Sequence, residues 1–196
     1  MTLYQAPDAI LDARFAGIRH GRPSFSLRHR ALRLIWRMVW IIFAAWTPPP
    51  LHPWRRFLLV CFGAQIGATA RIYGSATIWY PPNLAVGANA VIGPKVNCYS
   101  IAPIKVGHDA VVSQGAHLCT GSHNIHDPNF QLVAASIVVA PYAWIAAEAF
   151  VGPGTTVGEG AVLGARAVTV KNLDPWSVYV GNPARMTSQR HPGGLK

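Results

Sequence analysis

The sequence predicts a mainly β fold: a parallel β-helix of about five 18-residue coils, with an N-terminal helical segment and one long protruding loop. Three observations carry this. A six-residue period runs from Ile66 onward. Its interruptions recur at one phase of the period. The chain is 51% hydrophobic and only 12% charged, so little of its 196-residue length lacks apolar surface to bury.

The N-terminal segment, 1–65, opens with MTLYQAPDAILDARF, which lacks a basic start followed by an apolar core, so no signal peptide is expected. Residues 27–46, LRHRALRLIWRMVWIIFAAW, read as a helix, and 54–62, WRRFLLVCF, as a shorter one. The run Met38–Trp46 ends at Thr47-Pro48-Pro49-Pro50 and follows Arg37. It is well short of the roughly 20 residues that span a bilayer. An open solenoid leaves its end coil's backbone unpaired and needs a cap. Residues 27–62 therefore either cap the first coil or lie on an anionic membrane, apolar side down.

The repeat proper occupies 66–174. The blocks are IGATAR, IYGSAT, IWYPPN; VGANAV, IGPKVN, CYSIAP; VGHDAV, VSQGAH, LCTGSH; VAPYAW, IAAEAF, VGPGTT; and VGEGAV, LGARAV, TVKNLD. The first position is aliphatic in nearly every block, and the fifth is small. Neither a helix nor an alternating strand has this period. A short strand followed by a tight corner has it, with three strands and three corners making one triangular turn. Coils start at Ile66, Val86, Val106, Val139 and Val157. The insertions 84–85, 104–105 and 124–138 all follow a third block, so they emerge at one edge of the prism. Residues 175–196 read as a C-terminal tail.

The formal net charge is +10, and Arg14, Arg19, Arg22, Arg28, Arg30, Arg33, Arg37, Arg55 and Arg56 all lie in the first third. That excess suits phosphate groups, a membrane surface or an anionic substrate, and no nucleic-acid motif accompanies it. Three cysteines, Cys61, Cys98 and Cys119, without CxxC spacing argue against a disulfide framework or structural zinc and suit a reducing cytoplasm. No P-loop or strand-to-helix GxGxxG points to a nucleotide triphosphate or dinucleotide.

With its insertions, the repeat resembles the hexapeptide-repeat acyltransferases. VNCYSIAPIKVG (96–107), VSQGAHLCTGSH (112–123), HDPNF (126–130), WIAAEAFVGPGTTVGEGAVLGARAVTVK (144–171) and PWSVYVGNPAR (175–185) are similar to the colanic acid biosynthesis acetyltransferase branch. The resemblance implies a left-handed β-helix, an exception to the usual crossover hand. It also implies a homotrimer with the site shared between subunits, acetyl-CoA as acyl donor with no metal, and O-acetylation of a saccharide or lipid-linked saccharide. The location it implies is cytoplasmic, with peripheral contact at the inner face of the membrane left open.

Within that resemblance His123, in Thr120-Gly121-Ser122-His123, matches the general base, a role suited to an imidazole of near-neutral pKa. His126, Asn97 and Tyr99 are candidates on the acceptor side, with Ser100 beside them. Trp144, Ala147 and Ala165 match the coenzyme A channel, and Lys171 and Arg185 match basic residues near its phosphates. Three alternatives remain open at this stage. His108, His117, His123 and His126 could serve a zinc enzyme like the gamma-class carbonic anhydrases. The acceptor could be a small non-saccharide such as an antibiotic. The prism could be a scaffold without chemistry.

Overall fold

The computed structural model describes residues 24–128 and 130–191. The first fifteen residues and Arg14, Arg19 and Arg22, singled out above, lie outside the described residues, as does the end of the chain from 192. Two helices, α1 (Leu27–Phe43) and α2 (His52–Cys61), precede a parallel β-solenoid.

Three sheets form its faces. The first stacks Gln65–Ile66, Leu84–Val86, Ile104–Val106, Ile137–Val139 and Thr156–Val157. The second stacks Arg71–Ile72, Val91–Ile92, Val111–Val112, Trp144–Ile145, Val162–Leu163 and Ser177–Val180, with Arg185–Gln189 antiparallel outside it. The third stacks Thr77–Ile78, Asn97–Tyr99, His117–Cys119, Phe150–Val151 and Val168–Thr169. The five coil starts read from the sequence all lie on the first face.

The interior follows the period. First-position residues such as Ile72, Ile92, Leu118, Ile145 and Leu163 are 0% exposed. Fifth-position Ala70, Ala90, Ala110, Ala149 and Ala167 are also 0% exposed, where a larger side chain would collide inside the corner. Most corners between the first and second and between the second and third faces close with a bond from residue i+3 N–H to residue i carbonyl, as in Ala90 to Gly87 and Ala167 to Gly164. The third corner residue takes positive φ in Asn89, Lys95, Asp109, Tyr142, Glu148 and Arg166. These are type II turns, which usually place glycine there. Stacking also demands glycine at one corner. A Cβ on Gly87 or Gly107 would come within 2.5 Å of the next coil's backbone nitrogen.

The solenoid runs further than the sequence reading placed it. The final block, read as TVKNLD, ends early. Thr169 Oγ1 accepts from Lys171 N–H at 3.1 Å and donates to Lys171 C=O at 2.8 Å, which tightens the corner. A new block then begins at Leu173, which bridges to Val157. Ser177, 0% exposed, takes its fifth position. The segment read as tail thus supplies a partial sixth coil.

Backbone bonds between coils run both ways: Arg71 N–H donates forward to Ala90 and Tyr73 to Ile92, while Asp109 N–H donates back to Ala88. The first coil has no coil before it, and the helical segment supplies donors for its outward-facing carbonyls. Trp36 Nε1 donates to Ile78 C=O at 2.7 Å. Trp40 Nε1 lies 3.0 and 2.9 Å from the carbonyls of Gly74 and Ala76. Arg56 donates to Ala70 C=O at 2.9 Å and Arg55 Nε to Ile72 C=O at 2.6 Å. Arg55 is 0% exposed. Its remaining donors reach Thr47, Pro48 and Pro49, so it ties the α1–α2 connection to the prism. Of the two roles open for 27–62, the cap is thus realised by one face of these helices.

Two predictions follow from this cap. Arg55→Met strands several buried carbonyls, each costing about 1–3 kcal/mol. A drop in Tm on the order of 10 °C is expected by calorimetry, and a melt like wild type would remove the guanidinium from this role. The second concerns pH. Burial lowers the pKa of His29, His52 and His117, with nearby arginines adding to the effect for the first two. A histidine with depressed folded pKa binds fewer protons folded than unfolded. Its contribution is therefore intact above the unfolded value of about 6.5 and is lost as pH falls below it. Tm should decline from about pH 7.5 to about pH 5.5, and His29→Phe should flatten the decline.

Candidate active site

The insertions do emerge at one edge, between the third and first faces. Buried side chains brace that edge from coil to coil. Asn83 Nδ2 donates to the carbonyls of Ser100 and Ile101 at 3.1 and 2.8 Å. Ser100 Oγ donates to Tyr80 C=O at 3.0 Å and accepts from Tyr80 N–H at 3.1 Å. Thr120 Oγ1 donates to Tyr99 C=O at 2.7 Å and accepts from Ala102 N–H at 3.0 Å. Ser100 is thus buried and engaged in structure, not available to a substrate.

From this braced edge rises an antiparallel hairpin arm, Gly121–His123 paired with Leu132–Ala134. It starts three residues before the loop read from sequence. Ser122, which the period assigned to a buried fifth position, is exposed on the arm. Gly121 is where the arm crosses the third face. A Cβ there would come within 2.7 Å of Ile101 and 3.0 Å of Tyr99. Leu132 and Ala134 pack on Ile101 and Ala102 in a small cluster that Tyr99 and Trp79 flank.

His123 ends the first arm strand. Its Nδ1 lies 2.9 Å from Phe130 C=O. A carbonyl only accepts, so Nδ1 carries the proton and Nε2 is left as the proton-accepting nitrogen. The Phe130 ring stacks on the imidazole, with centroids 4.4 Å apart and planes inclined by 7°. The arm tip thus fixes both the tautomer and the plane of the ring. Phe130 holds this place with φ of 51°, a conformation that costs energy outside glycine.

His123 and His126 line one cavity of about 550 Å³ with Ile125, Pro153, Gly154 and Val170. The cavity opens outward: Ile125 is 75% exposed and Val170 65% exposed in the single chain. His126 is oriented by its backbone N–H, which donates to Asn124 Oδ1 at 3.1 Å.

The other candidates stand elsewhere. Asn97 and Tyr99 lie on the third face, below the arm, and do not line this cavity. Tyr99 is half-buried, and burial raises its pKa. Ala147 and Ala165 stack at a different edge, between the second and third faces, where Arg166 N–H donates to Ala147 C=O at 2.9 Å. An exposed ion pair, Arg166 Nε to Glu148 Oε2 at 2.6 Å, borders them. Trp144 stands on the second face, donates to Ser113 Oγ at 2.8 Å, and lines a separate open cleft with Asp109, Tyr142 and Arg190. Lys171 is exposed next to Val170, at the edge of the His123 cavity, and Arg185 is exposed at the start of the last strand. Phe130, whose carbonyl and ring hold the His123 imidazole, was missed. Its position in HDPNF beside the base was the available signal.

The histidines that the zinc alternative required are dispersed. His108 Nδ1 lies 2.8 Å from Asp109 at a first-to-second-face corner. His117 lies on the third face between Tyr99 and Phe150. Among the described residues no group of three or more His, Cys, Asp or Glu side chains is placed to hold a metal ion.

No family model matches the chain. It is 41% identical over 156 residues to the "Putative colanic acid biosynthesis acetyltransferase WcaF" of Escherichia coli (strain K12), covering 80% of this chain and 86% of that one. Its fold is similar to the crystal structure of a maltose O-acetyltransferase from Clostridium difficile 630. The TM-score is 0.76 at 21% identity, covering 85% of this chain and 90% of that one. It is similar also to the hexapeptide-repeat acetyltransferase VCA0836 of Vibrio cholerae O1 biovar eltor, crystallised with acetyl coenzyme A. There the TM-score is 0.74 at 19% identity, with 85% and 91% coverage.

Proposed function

The chain belongs to the hexapeptide-repeat acetyltransferases related to the colanic acid biosynthesis enzymes, and from that premise we propose that it moves the acetyl group of acetyl-CoA to a saccharide hydroxyl, with His123 as general base. One observation carries the assignment of the base. The bond from His123 Nδ1–H to Phe130 C=O makes Nε2 the proton-accepting nitrogen of the neutral imidazole, beside an open cavity.

The chemistry then runs as follows. Nε2 takes the proton of the acceptor hydroxyl as its oxygen attacks the thioester carbonyl carbon. The tetrahedral intermediate collapses, the C–S bond breaks, and the imidazolium returns the proton to the departing coenzyme A thiolate. The products are the acetyl ester and free coenzyme A. His126, on the same cavity, serves the acceptor side. Ala147 and Ala165 leave room for a narrow pantetheine arm, and Lys171 and Arg185 offer charge to its phosphates.

We further propose that the working unit is a homotrimer. Within one prism His123 and the Ala147–Ala165 column occupy different edges, separated by the third face. The apolar wall at Ile125 and Val170 stands open. A cyclic arrangement that sets one chain's His123 edge against its neighbour's Ala147–Ala165 edge closes the site three times over.

Replacing His123 by Ala should lower kcat by about 100-fold or more while the KM for acetyl-CoA changes little. Thiol release with a panel of saccharide acceptors reads this out, and turnover near wild type would place the base elsewhere. The shared site has its own test. His123→Ala and Ala165→Trp chains, each inactive alone, should regain activity when unfolded and refolded together, because some mixed interfaces carry both intact halves. No recovery in mixtures shown to contain mixed oligomers would mean that each chain holds a whole site.

A further inference from the structure

Helix α1 is apolar on two opposite faces, and the cap uses only one. His29, Trp36 and Trp40 point to the prism and are buried. At ~100° per residue, the opposite stripe is Leu27, Leu34, Met38, Ile41 and Ile42. These residues are 79%, 61%, 53%, 55% and 52% exposed. Arg30 and Arg37 flank the stripe on one side and Arg28 on the other. Helix α2 adds to the exposed apolar surface with Phe57, 57% exposed, and Val60, 51% exposed. Trp46 and Trp54 add indole rings, 73% and 39% exposed. A helix apolar all round is ordinarily buried all round.

Charge identifies what covers this surface. No Asp or Glu occurs between Asp12 and Asp109. Residues 24–108 hold nine Arg or Lys and no acid, whereas 109–191 hold four basic and five acidic side chains. Among the described residues Arg28, Arg30 and Arg37 have no carboxylate partner, since the two ion pairs present both involve the later coils. No helix among the described residues is long and apolar enough to cross a membrane. An apolar stripe edged by unpaired arginines and flanked by indoles matches the boundary between anionic headgroups and acyl chains.

We propose that the outer face of α1 and α2 docks on an anionic lipid bilayer, lying in the interface without crossing it. The apolar stripe enters the acyl boundary, and Arg28, Arg30 and Arg37 meet headgroup phosphates. The proposal stands independently of the acceptor and of the role of His123.

The test is co-sedimentation of the full chain with vesicles of phosphatidylglycerol and phosphatidylcholine, against vesicles of phosphatidylcholine alone. Binding to the anionic vesicles is expected, weakening as salt rises. The double variant Arg30→Ala/Arg37→Ala should bind the anionic vesicles at least about fivefold more weakly for each arginine removed. Met38→Glu/Ile42→Glu should abolish binding while its Tm stays near wild type, because neither side chain touches the prism. Wild-type protein left in the supernatant, or equal sedimentation of the Glu variant at unchanged Tm, overturns the proposal. So does light scattering in which the Glu variant breaks up a larger assembly while wild type ignores vesicles, for the face would then be a contact between copies.

Discussion

A parallel solenoid cannot finish itself. Each inner coil is satisfied by the coils on both sides, so the first one turns unpaired backbone to whatever lies outside it, the carbonyls of Ala70, Ile72, Gly74, Ala76 and Ile78 among it. Leaving those groups dry and unpaired costs more than most single contacts in the fold return. The remedy here is a layer of side chains that donate without accepting: two indoles and two guanidinium groups. This explains why the N-terminal segment needs Trp and Arg at the inward positions of otherwise apolar helices. Arginine is suited because its fork satisfies several carbonyls from one buried position. The opposite end is finished by backbone, with Arg185–Gln189 folding back as an antiparallel strand. Arg190 then reaches the carbonyls of Tyr142 and Gly160.

With the ends settled, the regular coils leave little freedom for chemistry. Each six-residue block is spent on a short strand and its corner, and the interior is closed. Function has to be added where the period is broken without disturbing the stack. The edge between the third and first faces is that place. Its Asn83, Ser100 and Thr120 bonds replace the turn bonds that the other edges have. On this frame a hairpin can stand outward and still be rigid at its root. His123 is therefore carried on an irregular element held by a regular one, the usual division between loop and scaffold.

The part of the fold legible from sequence is the part governed by period. Inward Ile, Val and Leu, small fifth residues and the common edge of the insertions all follow from six-residue spacing, and the structure has them. What failed did so where local bonds override the count. The Thr169 turn shortened a block and released a sixth coil beginning at Leu173. The arm claimed Gly121 and Ser122 from the repeat by pairing with Ala134 and Val133. Several corner residues with positive φ carried no signal, because Lys95, Tyr142 and Arg166, unlike Asn89 and Asp109, are not turn formers by type. His123 and His126, singled out from motif and loop position, line one cavity. Phe130 was not singled out, because its contribution is a backbone carbonyl and a stacked ring, and neither depends on a recognisable spacing. The left-handed twist of the coil came from family resemblance; no pattern in the residues carries it.

The cap and the site are also connected by distance along the prism axis. Coils repeat at about 4.8 Å, and a helical layer adds roughly 10 Å. The arm leaves from the third coil, so His123 stands on the order of 20 Å from a surface that touches the outer face of α1. A sugar joined directly to a lipid phosphate would sit far below that level. A hydroxyl several units along a lipid-linked chain would sit near it, as would a free acceptor arriving from solution. Docking and catalysis would then select by height. On the proposed docking and the proposed acceptor, the membrane would concentrate the acceptor and orient the prism, while the fixed rise of the coils would set which unit of the saccharide meets the imidazole. Shortening the stack by one coil would lower that level by about 5 Å, roughly the scale of one sugar unit, without altering His123, the Phe130 carbonyl or the Ala147–Ala165 edge.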